Sequence, residues 1–111
     1  MKGFTVIPTS NFEKDAKTLL KKYPSFKQEM EGLFNSLATE PGQGIPLGKD
    51  CYKIRLSITS KGKGKSGGAR IITCVKIIQQ TVYLLSIFDK SEQDNISRAK
   101  LLSILQKAGL E

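Results

Sequence analysis

Lys53, Arg55 and Arg70 are the side chains of this sequence best placed to do chemistry, and phosphate is the group they suit. Lys53 and Arg55 lie two apart in a stretch where Tyr52, Ile54, Leu56 and Ile58 alternate with Lys53, Arg55, Ser57 and Thr59. Period-2 alternation predicts a strand with one buried face and one wet, cationic face. If the apolar run that begins at Ala69 returns antiparallel with Arg70 opposite Arg55, all three cations converge on one surface. Like charges set opposite one another destabilise a purely structural sheet, and an anionic ligand resolves that conflict.

The wider charge pattern points the same way. The chain carries a net charge of +8, and seven Lys and Arg against one Asp fall between Lys49 and Arg70. Such a concentration favours a polyanionic partner, RNA or DNA. Lys61, Lys63 and Lys65 alternate with glycine in a polar connection between the two apolar runs, where they would supply charge to a phosphate backbone. Gly62 to Gly67 is a literal G-x-G-x-x-G, and Gly64-Lys65-Ser66 resembles the end of a P-loop. Both need a following helix, and a P-loop also needs a glycine where Thr59 stands, so nucleotide binding is not expected. The sequence has no histidine, and Cys51 and Cys74 lack metal-type spacing. Nuclease chemistry here is therefore expected to need no metal and no cofactor, and to use lysine, arginine or tyrosine.

The elements that must position these residues follow from local patterns. Phe4 to Ile7 is a short β-prone run ended by Pro8. Ser10 and Glu13 form a capping-box signal ahead of Phe12, Ala16, Leu19 and Leu20 on one helical face, ending near Tyr23-Pro24. Ser25 and Gln28 repeat the signal before the stripe Phe26, Met30, Leu33, Phe34 and Leu37, so two helices pack as an antiparallel hairpin. Glu40 to Gly48 is rich in Pro and Gly and reads as a loop. Ala69 to Ile78 and Val82 to Phe88 read as strands, the second apolar on both faces and so central. Asp89 to Asn95 reads as a polar turn. Ser97 is the expected N-cap of a last helix, with Ile96 and Leu101 as a staple and Leu101, Ile104, Leu105 and Ala108 buried.

The order β-α-α-β-β-β-α implies an α+β fold, an antiparallel sheet packed with an N-terminal helical hairpin and a C-terminal helix. Residues 1–111 are expected to form one domain. No apolar run reaches membrane-spanning length, and the N-terminus lacks an export segment, so a cytoplasmic protein with no membrane partner is expected. Two isolated cysteines fit a reducing compartment as core or edge fillers.

Three blocks, Cys51-Tyr52-Lys53-Ile54-Arg55-Leu56, Lys61 to Ile72 and Tyr83 to Glu92, taken with the element order, resemble the RelE/ParE superfamily of type II toxins, particularly its RelE- and HigB-like branch. The resemblance spans nearly the whole chain. It implies the toxin component of a toxin-antitoxin system, an endoribonuclease that enters the ribosome and cuts mRNA through the substrate's own 2′-hydroxyl, inhibiting translation. Lys53, Arg55 and Arg70 would then be catalytic, with Lys53 the proton-transfer group, since lysine gives up a proton where arginine does not. Lys61, Lys63, Lys65, Phe88 and Lys90 would bind RNA and the ribosome. The implied partners are ribosome, mRNA and a cognate antitoxin of helix-turn-helix type, with operator DNA reached only through the antitoxin. The chain departs from relatives at Phe88, Ser91 and Ser97, where they carry tyrosine or arginine, which leaves Tyr52 and Tyr83 as substitutes for a missing tyrosine. Two alternatives share the fold: a ParE-like inhibitor of DNA gyrase, and a non-catalytic RNA-binding homologue.

Overall fold

The computed structural model describes residues 3–61 and 67–111, with Lys61 by its backbone alone. The elements are β1 (Thr5–Pro8), α1 (Ser10–Lys22), α2 (Phe26–Thr39), β2 (Ile45–Gly48), β3 (Cys51–Leu56), β4 (Ala69–Lys76), β5 (Thr81–Asp89) and α3 (Arg98–Lys107). A short 3-10 turn, Thr59–Lys61, follows β3. The sheet runs β1-β5-β4-β3-β2, with β1 parallel to β5 and every other pairing antiparallel.

Alternation along the strands sends side chains to two separate cores. On one face Ile54, Ile71, Val82, Leu84 and Ile87 pack under α1 and α2, meeting Phe12, Leu19, Phe26, Met30, Leu33 and Leu37. On the other, Cys51, Ile72, Cys74 and Leu85 pack under α3 through Leu101, Ile104 and Leu105. Each fully buried Leu or Ile contributes about 1.5–3 kcal/mol, so both layers are held chiefly by apolar burial. Lys53 and Arg55 follow Cys51 on that same face of β3 and are not members of the α3 core.

The first helix does more than pack. Strand β1 pairs with β5 only as far as Leu84, which leaves the rest of that β5 edge without a strand neighbour. Thr9 and Asn11 donate to the carbonyls of Leu84 (2.8 Å) and Leu85 (2.7 Å), and Asp15 accepts from Ser86 Oγ and Ile87 N. Side chains of α1 thus replace the missing strand and satisfy backbone groups that burial would otherwise penalise.

Several expectations change. Thr9, not Ser10, is the N-cap of α1, accepting from Phe12 N, because its β-region backbone lets the hydroxyl face that amide. Ser25 makes no capping bond, since its hydroxyl is drawn to Glu29 and Ser60 instead. The Ser97 cap forms as expected. The stretch Glu40 to Gly48 is not all loop: Ile45–Gly48 is an edge strand, the one place in a sheet where Pro46 needs no amide donor. Ile77 and Ile78 leave the strand for an exposed turn, Ala108 is an exposed C-cap, and Leu20 lies 46% exposed beside a groove of about 390 Å³ between α1 and α2.

Candidate phosphate-binding site

The β3–β4 ladder has no bulge and pairs Arg55 with Arg70, the expected register. It also fixes how close the pair is. Val75 N donates to Asp50 O at 2.8 Å, a bond that brackets the Cys51–Cys74 pair and makes it a non-hydrogen-bonded one. Such pairs recur at every second residue, so Lys53–Ile72 and Arg55–Arg70 are of the same kind, with Cα atoms about 4.5 Å apart and side chains at their nearest. Two guanidinium stems therefore leave the sheet side by side on the row that carries Lys53.

Their environments differ. Arg55 is exposed, and no ion pair engages it among the described residues. Arg70 is 2% exposed, its Nε donates to Asp94 Oδ1 at 3.1 Å, and its terminal nitrogen donates to Ala69 O at 3.2 Å. Lys53 is half-buried, and its ammonium donates to Asn95 Oδ1 and, at 3.4 Å, to Asp94 O. A carboxylate, an amide oxygen and a carbonyl from residues 94 and 95 thus lie across Lys53 and Arg70. These are oxygen acceptors where a phosphate would put its own.

A second polar cluster places that segment. Asp89, buried at the end of β5, accepts from Tyr23 Oη (2.7 Å), Ser91 N (2.9 Å) and Ser91 Oγ (2.7 Å). Its carbonyl accepts from the amides of Glu92 and Gln93. The turn is tied at its start by Asp89 and at its end by the Ser97 cap, which brings Asp94 back over Arg70.

Phe88 stands opposite Arg70 on the β5 side, half-buried at the margin of the α3 core. Lys90 follows β5 directly, and its amide donates to Gly68 O at 3.0 Å. Gly68 allows that closure: a Cβ there would stand 1.9 Å from Leu56 O. The connection after β3 has a fixed base, because Glu29 accepts from Thr59 N and Oγ1 while Ser25 and Ser60 bond to each other. Lys61 contributes only its backbone to the described structure, and Lys63 and Lys65 lie outside the described residues.

The two tyrosines considered as substitutes stand elsewhere. Tyr52 packs against the α1 and α2 core, on the sheet face opposite Lys53. Tyr83 pairs with Cys74 well along the ladder from Arg70, and its hydroxyl donates to Gln79. The roles of Asp94, Asn95, Asp89 and Tyr23 leave no signal in the sequence, where a polar turn such as Asp89 to Asn95 looks like any solvated connection. No group of three or more His, Cys, Asp or Glu among the described residues is arranged to hold a metal ion.

A five-stranded sheet between a helical pair and a C-terminal helix, with Lys53, Arg55 and Arg70 on one row, defines a small α+β protein. The family model described as the RelE toxin of the RelE/RelB toxin-antitoxin system matches residues 9–110, and the chain belongs to that family. Comparison with curated protein sequences finds no match. Among solved structures, a doubly substituted mutant of the E. coli toxin RelE in the free state is 14% identical with a TM-score of 0.56, over 96% of this chain and 95% of that one. The toxin-antitoxin complex RelBE2 of Mycobacterium tuberculosis is 18% identical with a TM-score of 0.56, over 80% and 93%. A metal-bound toxin from Helicobacter pylori is 22% identical with a TM-score of 0.52, over 82% and 99%. At these identities the likeness shows the fold, and the α+β expectation holds.

Proposed function

We propose that this RelE-family toxin is a ribosome-dependent, metal-independent mRNA endoribonuclease of the RelE- and HigB-like branch, acting in the cytoplasm to inhibit translation. The observation that carries the reading is the closely spaced Arg55–Arg70 pair on the row of Lys53. Two guanidinium groups set opposite one another destabilise a sheet unless anions face them, a need that Asp94 meets in part and a phosphate would complete. The exposed Arg55 and the buried, oriented Arg70 would hold two oxygens of the scissile phosphate, and would stabilise the charge that develops as the 2′-oxygen attacks phosphorus. Lys53, once it has given up a proton to become the free amine, would take the 2′-hydroxyl proton and return it to the departing 5′-oxygen, leaving a cyclic phosphate and a 5′-hydroxyl. Phe88 and Lys90 flank the row as a stacking surface and a further phosphate contact, and Lys61, Lys63 and Lys65 would dock on ribosomal RNA. A cognate antitoxin, of helix-turn-helix type, would cover the surface and carry any operator-DNA contact.

Mapping transcript ends after induction tests the reading. Cuts confined to translated frames are expected, and they should disappear with Lys53→Ala. Intact transcripts with relaxed or broken chromosomes would point to gyrase instead, and ribosome binding with no cut would leave a non-catalytic RNA-binding protein.

A further inference from the structure

The two cysteines of the chain, 51 and 74, stand directly opposite each other on β3 and β4. The Val75–Asp50 backbone bond makes theirs a non-hydrogen-bonded pair, the type with Cα atoms about 4.5 Å apart and side chains nearest. A disulfide accepts Cα separations of about 4.4–6.8 Å, so the strands already hold a bridging geometry. Both thiols are free and buried, 1% and 0% exposed, in the core under α3. Their side chains face each other across the ladder, and the Cys51 thiol donates to Lys49 O at 3.4 Å. The nearness of the two thiols, helped by burial, pushes the Cys51 thiol up, while the same nearness pulls Cys74 down against the opposing effect of burial, with Lys76 assisting. Cys74 is therefore the more readily ionised of the two, and the thiolate is the form that reacts with oxidants. Solvent is near, because Cys51 follows the exposed turn at Lys49 and Asp50, both with positive φ, and its Sγ lies 3.4 Å from Lys49 O.

We propose that Cys51 and Cys74 form a reversible dithiol–disulfide site, closed by a peroxide and reopened by a thiol reductant. In the first step the Cys74 thiolate attacks one peroxide oxygen, the O–O bond breaks, and the departing hydroxide takes up the proton Cys74 gave up, leaving water and a sulfenic acid on Cys74. In the second the Cys51 sulfur attacks that sulfenic sulfur, the S–O bond breaks, and the departing hydroxide takes the Cys51 proton as water. Two thiols and one peroxide become one disulfide and two waters; sulfur is oxidised by two electrons and the peroxide is reduced. Two buried cysteines are more usually inert space-fillers, and what separates this pair is its direct opposition at a non-hydrogen-bonded position of the ladder.

The site is independent of the nuclease reading, and its readout is mass rather than cleavage. The full chain, treated with hydrogen peroxide under native conditions, should lose two hydrogens, join the peptides holding Cys51 and Cys74, and regain its mass with dithiothreitol. Cys51→Ser, checked for native fold by circular dichroism, should leave a Cys74 sulfenic acid that dimedone traps. Four outcomes would overturn the proposal: unchanged mass where the urea-unfolded chain reacts, an intermolecular dimer, direct conversion to sulfinic acid, or no dimedone adduct in the folded variant.

Discussion

Asp94→Asn should weaken the fold and strengthen RNA binding at the same time. The Asp94 carboxylate lies 3.1 Å from Arg70 Nε, with Asp94 52% exposed and Arg70 almost fully buried. A hydrogen bond to a charged group is worth about 1.5–3 kcal/mol when shielded, an exposed ion pair only about 0.2–1, and the half-exposed carboxylate puts this contact near ~1 kcal/mol. Its loss should lower the melting temperature by roughly 4 °C, the shift that ~1 kcal/mol produces in a chain of 111 residues. A phosphate approaching Arg70 displaces the same carboxylate, so its removal should tighten binding by a similar ~1 kcal/mol, about fivefold. Fluorescence anisotropy with an uncleavable 2′-deoxy oligonucleotide and a thermal melt measure the two effects. Weaker or unchanged RNA binding by a folded Asp94→Asn would refute the idea that residues 94 and 95 hold the phosphate position.

Two further substitutions probe how the site is supported. Gly44 has φ +99°, and a Cβ there would stand 2.4 Å from Lys53 O, so Gly44→Ala should displace β3 at Lys53, lowering both melting temperature and mRNA cleavage without touching a charged side chain. Tyr23→Phe removes the 2.7 Å bond to buried Asp89 and should cost about 1.5–3 kcal/mol in urea unfolding, and it should loosen the 91–95 turn as seen by hydrogen exchange at Ser91.

The strong sequence signals were those with a period. Alternation from Tyr52 to Ile58 set the faces of β3, and the apolar run of Val82 to Phe88 marked β5 as a central strand, because burial of one face or both leaves a regular trace. Strand β2 left none: Ile45-Pro-Leu-Gly48 is four residues long, Pro-containing and at an edge, so composition speaks for a loop while pairing with β3 decides otherwise. Cap assignment failed at Ser10 because Thr9 offers the same hydroxyl one residue earlier, and only backbone geometry chooses between them. The cations of the site were legible because like charges on a strand face are conspicuous. Asp94 and Asn95 were not, since their role depends on how Asp89 and Ser97 fold the turn back across 24 residues of sequence separation from Arg70.

The most direct test of the cationic row is single-turnover cleavage of mRNA held in the A site of programmed ribosomes by the wild-type chain, Lys53→Ala and Arg55→Ala. Arg55 is exposed and free of ion pairs among the described residues, so its removal should leave the melting temperature nearly unchanged. Loss of one transition-state charge contact should slow cleavage by about 10²–10³, and loss of the proton acceptor at Lys53 by about 10²–10⁴. Wild-type rates from both folded variants would contradict the assignment of catalysis to this row.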